Sequence, residues 1–167
     1  MNKLHVLSIA IALAAAALVA GILGDASSAA SQKVSKGALV SSRQTGLGKA
    51  LVNARGRTLY LFDKDKKGMS SCSGACAAYW PPVITTAKPR AGNGVSASRL
   101  GMTRRADGRR QVTYAGHPLY TFIGDTKAGQ TSGEGLTDFG ATWDAVGPNG
   151  RSIEPKGSDE SGSGSGW

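Results

Sequence analysis

A pattern written twice constrains this chain more than any other feature. Gly56-Arg57-Thr58-Leu59-Tyr60-Leu61-Phe62-Asp63-Lys64-Asp65 and Gly116-His117-Pro118-Leu119-Tyr120-Thr121-Phe122-Ile123-Gly124-Asp125 both read G-x-x-L-Y-x-F-x-x-D. A second register follows each copy, in which Ala78, Trp80 and Val83 lie over Ala141, Trp143 and Val146. The tyrosines are 60 residues apart and the tryptophans 63, so the second copy carries a three-residue insertion. Two copies of one unit form the core of such a chain.

Local signals make each copy a hairpin. Lys49–Asn53 and Thr58–Phe62 flank Ala54-Arg55-Gly56-Arg57 as two strands joined by a glycine turn, and Arg110–Tyr114 and Pro118–Phe122 flank Ala115-Gly116 in the same way. A lone hairpin is marginal in water, so the two must share a core. The expectation is a single small, mainly β domain of two pseudo-symmetric hairpin-based repeats with short helical turns. Repeat one covers about 46–98 and repeat two about 99–155.

The flanks read differently. Val6 to Val19 is nearly all Val, Leu, Ile and Ala, and Ala26-Ser27-Ser28-Ala29-Ala30 follows, which marks residues 1–30 as a secretory signal peptide. If it stayed uncleaved, this segment would be the only route to a membrane anchor. Residues 31–45 are polar and read as a linker, and residues 156–167 as a disordered Gly/Ser tail.

The doubled motif spells Y-x-(F/W/Y)-x-x-D with Tyr60, Phe62, Asp65 and again with Tyr120, Phe122, Asp125, and Cys72-x-x-x-Cys76 runs into Trp80-Pro81-Pro82. On these residues the chain resembles a secreted-repeat family of unknown function whose members are often predicted lipoproteins. The resemblance implies a secreted, extracytoplasmic protein, associated with the cell wall or membrane surface, and carries no activity with it. Family members often place a lipidated Cys at the signal junction. Here the first Cys is Cys72, so a soluble or charge-retained product is expected.

In a strand, Tyr60 and Phe62 face one side and Leu59 and Leu61 the other, and Tyr120 and Phe122 share a side in the same way. Both aromatics of each copy therefore point together, into a core or into a groove. Asp65 and Asp125 fall where the strand ends, a position suited to an Asx-turn. One reading makes the motif architecture. The other makes it a paired ligand site of aromatic walls with two carboxylates, although a catalytic acid pair needs two unlike environments and symmetry opposes that. Trp80 and Trp143 are expected as core anchors.

Cys72 and Cys76 have no counterpart in the second copy, which carries Gly135 and Phe139 there. In an exported protein a lone pair reads as a disulfide. At i, i+4 in a regular helix the Cβ atoms are too far apart for a bridge, so a bond needs a distorted turn, which Ser73-Gly74 permits. The alternative is an extracytoplasmic copper-binding or thiol-redox and electron-transfer accessory. Both sulfurs would then hold Cu(I), with Met69, Met102 or His117 as further ligands.

The formal net charge is +9 and survives removal of residues 1–30, which hold one base, Lys3, and one acid, Asp25. Basic residues gather at Lys64, Lys66, Lys67 and at Arg99, Arg104, Arg105, Arg109, Arg110. Outside the cytoplasm such a surface attracts anionic envelope polymers and acidic lipids, and no finger, basic helix or RNP-like pattern points to sequence-specific nucleic-acid binding. Catalytic triads, phosphate loops and zinc-protease motifs are missing, and Asp63–Gly68 lacks the ligands of a calcium loop. The expected protein is a non-enzymatic binding module without a cofactor.

Overall fold

The computed structural model describes residues 37–66 and 68–153. The signal segment and the tail lie outside them. The strands are β1 (Leu39–Thr45), β2 (Gly48–Asn53), β3 (Tyr60–Phe62), β4 (Arg90–Ala91), β5 (Leu100–Arg104), β6 (Arg110–Tyr114), β7 (His117–Pro118), β8 (Leu136–Asp138) and β9 (Ala141–Ala145). One short helix, α1 (Ala75–Tyr79), precedes Trp80. Three small sheets result, ordered β2-β1-β4, β3-β9-β8 and β5-β6-β7. The fold is mainly β, as the repeat pattern implied.

The linker expected over 31–45 is corrected by β1. Its residues Leu39–Thr45 pair antiparallel with β2 from Val40↔Asn53 to Thr45↔Gly48, and Leu39 and Val40 also pair parallel with β4. Only Val40 of this strand is fully buried, so the apolar alternation that marks a strand is almost absent, and backbone pairing on both sides holds it. The long hairpin of the first copy is thus β1–β2, matched in the second by β5–β6, which pair from Leu100↔Tyr114 to Arg104↔Arg110. The expected turns survive beside them. Asn53 N–H donates to Arg57 O at 2.9 Å and Leu59 N–H to Leu51 O at 2.9 Å, while β6 continues into β7 through Ala115 and Gly116 at φ 49 and 88.

After these turns the copies interlock. Motif segment 59–63 pairs with the tryptophan segment of the second copy: Val146 N–H donates to Leu59 O at 3.0 Å and Asp63 N–H to Thr142 O at 3.1 Å. Motif segment 119–123 pairs with the tryptophan segment of the first. Val83 N–H donates to Leu119 O at 2.9 Å and Ile123 N–H to Tyr79 O at 3.0 Å. At the centre the two motif tyrosines bond to each other through their backbones, Tyr60 N–H to Tyr120 O at 2.9 Å and Tyr120 N–H to Tyr60 O at 3.0 Å. A pseudo-twofold axis passes between them.

Strand alternation then sorts the side chains onto two faces. Leu59, Leu61 and Leu119 join Val40, Leu51, Val112, Tyr114 and Val146 in one buried cluster, and Tyr60, Phe62, Tyr120, Trp80 and Trp143 join the two cysteines in the other. Full burial of a large apolar side chain contributes about 1.5–3 kcal/mol. Both clusters draw on both copies, so neither copy closes its own core.

Candidate functional site

The doubled motif converges on a crossed pair of tyrosine–carboxylate bonds. Tyr60 donates its hydroxyl to Asp125 Oδ2 at 2.6 Å, and Tyr120 donates to Asp65 Oδ2 at 2.6 Å. Each tyrosine therefore meets the aspartate of the other copy. A tight turn swings each carboxylate back toward the axis, with Asp65 N–H on Phe62 O at 2.9 Å and Asp125 N–H on Phe122 O at 3.3 Å. The second oxygens reach further than the Asx-turn expected from sequence. Asp65 Oδ1 accepts Ser71 N–H at 2.7 Å and Ser71 Oγ at 2.9 Å, and Asp125 Oδ1 accepts Ser132 N–H at 2.9 Å. The loops after the two motifs are tied down by these bonds.

Burial, and next to it the hydrogen bond to the partner carboxylate, pushes both tyrosine hydroxyls well above their ordinary range. On the first pair, Gly133 N–H also donates to Tyr60 Oη at 3.3 Å. Only glycine fits there, because a Cβ would lie 2.8 Å from Trp80 Cη2 and 3.0 Å from Tyr60 Cζ. The two ends are not equivalent. Asp125 is fully buried, whereas Asp65 is half-buried and its tyrosine also lies 2.7 Å from Ser70 Oγ.

Beneath the tyrosines, four rings run in the order Phe62, Trp143, Trp80, Phe122, the first three stacked and Phe122 tilted on Trp80. Centroid separations along it are 4.0, 4.0 and 4.4 Å. Each tyrosine packs edge-on against the tryptophan of its own copy, Tyr60 on Trp80 at 5.4 Å and Tyr120 on Trp143 at 5.0 Å. Stacked and edge-on aromatic pairs are each worth about 0.5–1.5 kcal/mol beyond area burial. Trp143 sits on β9 and Trp80 just after α1, so two different local structures deliver equivalent rings to one stack. Tyr60, Phe62, Tyr120 and Asp125 are turned inward and buried, while Asp65 and Phe122 are partly buried.

Cys72 and Cys76 are joined as a disulfide with Cα atoms 5.3 Å apart. Gly74, at φ 55, supplies the irregular turn that brings them together. Both sulfurs are buried in the aromatic cluster, and as a disulfide they offer no thiolate to a metal. Of the other candidate ligands, Met69 is exposed in the loop after the first motif, Met102 is exposed on β5 and His117 is exposed on β7.

Arg105 corrects the charge reading. Counted from sequence with the exposed bases, it is buried and holds Ser70 Oγ at 2.7 Å, Gln111 Oε1 at 2.6 Å and the Cys72 carbonyl at 2.6 Å. Gln111, buried on β6, donates in turn to Leu119 O at 2.8 Å. This pair fastens the disulfide loop to the second copy, and a sequence pattern of mixed arginines does not separate it from its solvated neighbours. Arg99, Arg104, Arg109 and Arg110 are exposed, as is Lys66. Arg109 chelates Asp107 and lowers that carboxyl to about 2. Lys64 Nζ caps the Phe139 carbonyl at 3.2 Å, and Lys67 lies outside the described residues.

This geometry defines a two-copy β module whose repeats exchange their motif contacts. Residues 41–84 and 101–147 match the model of the family described as a secreted repeat of unknown function, and the chain belongs to that family. Its place is extracytoplasmic. No curated protein and no solved structure matches the chain.

Proposed function

We propose that this protein is a non-enzymatic binding module that attaches to anionic polymers or acidic lipid surfaces at the cell envelope. The observation that supports the reading is the division of its side chains. The hydroxyls and carboxylates of the doubled motif are taken up by hydrogen bonds inside the domain, while Lys66, Arg99, Arg104, Arg109 and Arg110 stay exposed on a chain of formal net charge +9. Such a surface concentrates polyanions by long-range attraction.

Retention of the full chain on an immobilised polyanion and on vesicles containing anionic lipid tests this. Binding should be firm near 0.05 M salt and should weaken steeply as the Debye length falls toward about 8 Å at 0.15 M. Passage through both at low salt refutes the reading.

A further inference from the structure

A groove of about 380 Å³ opens between β1, the turn after β2 and the loop around Ala128, lined by Ser41, Ser42, Arg43, Asn53, Arg55 and Gly56 among others. Its lining includes Arg43 and Arg55 and no acidic residue. Neither Arg43 nor Arg55 forms an ion pair with another described residue.

Arg43 lies beside two glycines. Its side chain crosses the bare backbones of Gly56 and Gly129, both at positive φ, 75 and 76, and bonded to each other by Gly129 N–H on Gly56 O at 2.9 Å. A Cβ on Gly56 would come within 3.3 Å of Arg43 Nη1, and one on Gly129 within 3.6 Å of Arg43 Cδ. The Arg43 side chain thus lies against this glycine-built turn. On the other side, the Arg55 backbone is fixed by its N–H on Asn53 Oδ1 at 2.9 Å. Both arginines thus rise from backbone fixed by hydrogen bonds, with their side chains exposed to solvent.

We propose that Arg43 and Arg55 form an oxyanion-binding subsite that grips a phosphate or carboxylate of a linear envelope polymer. The guanidinium fork matches both anions bidentately, which an ammonium cannot reproduce. A groove of this size suits one or two polymer units. A second groove, lined by Ala38, Leu39, Asn53, Ala54, Arg55 and Val83, shares Arg55 with the first and offers a path for the chain on either side of it. The subsite rests on the polyanion reading above and gives that reading a location.

The test is binding of the full chain to inorganic polyphosphate and to polygalacturonate, by titration at fixed ionic strength, with three proteins compared. The Arg43→Lys/Arg55→Lys variant keeps every charge and should bind about 10-fold more weakly with an unchanged circular dichroism spectrum. The Lys88→Gln/Arg151→Gln variant removes two exposed charges elsewhere and should lose no more than about 3-fold. Loss on one polymer alone identifies the anion as phosphate or carboxylate. Equal binding by the lysine variant and the wild type overturns the subsite while leaving diffuse attraction standing. No binding of either polymer by the wild type overturns both.

Discussion

The Tyr60 hydroxyl and the Asp125 carboxylate, 65 residues apart and from different copies, meet at 2.6 Å in a fully buried site. The reciprocal bond from Tyr120 to Asp65 has the same length. A motif that looks self-contained in sequence is therefore completed only by its duplicate. Repetition here builds an interface inside one chain.

The first consequence is that half of the domain should not fold. A chain ending near Arg99 lacks segment 142–146, which pairs with the first motif strand, and lacks Asp125 and Trp143. The isolated half should show a collapsed amide spectrum and no cooperative melt. Dispersed resonances from it would contradict the interlocked core.

Removing one hydroxyl should cost unequally at the two ends. Tyr60→Phe leaves the fully buried Asp125 without its tyrosine partner, at about 1–3 kcal/mol. Tyr120→Phe should cost less, because Asp65 is half-buried and keeps both of its Ser71 bonds. Urea midpoints rank the two variants. Tyr120→Ala, which also empties part of the aromatic cluster, should cost about 3–5 kcal/mol.

Alkaline pH should destabilise the protein through the same tyrosines. Both hydroxyls are held above the ordinary value of 10.0 by burial and by their carboxylate partners. Below pH 10 folded and unfolded chains alike keep these protons, so they add no pH dependence. Above it the unfolded chain releases them and the folded chain does not, and stability falls by up to about 1.4 kcal/mol per pH unit for each tyrosine. Chemical denaturation at pH 9 to 12 should show this slope, reduced in Tyr60→Phe. An equal slope in that variant would exclude Tyr60 as a source.

The cysteines separate the binding reading from the copper alternative. Cys72→Ser/Cys76→Ser should stay folded and lose less than the ~3 kcal/mol expected for a 15-residue loop. Under the binding reading, exported protein carries no free thiol and takes up no Cu(I) after reduction. Stoichiometric Cu(I) uptake by the reduced protein, lost in the variant, would favour the copper role.

Much of this architecture was legible before any coordinates. Duplication shows directly in sequence, because related segments fold alike and need not be near each other to be recognised. Period-two alternation places Leu59 and Leu61 opposite Tyr60 and Phe62 because a strand sends successive side chains to opposite faces. An exported chain with one close cysteine pair points to a disulfide for chemical reasons that need no fold. What tertiary structure alone decided is how the copies meet. Local sequence is silent about which copy Asp65 and Asp125 serve, since the bond depends on two strands crossing an axis. It is equally silent about β1, a nearly polar strand made by backbone pairing on both sides, and about Arg105, whose burial is set by a carbonyl 33 residues away. In each case the deciding interaction is long-range and polar, and polar contacts leave no periodicity along the chain.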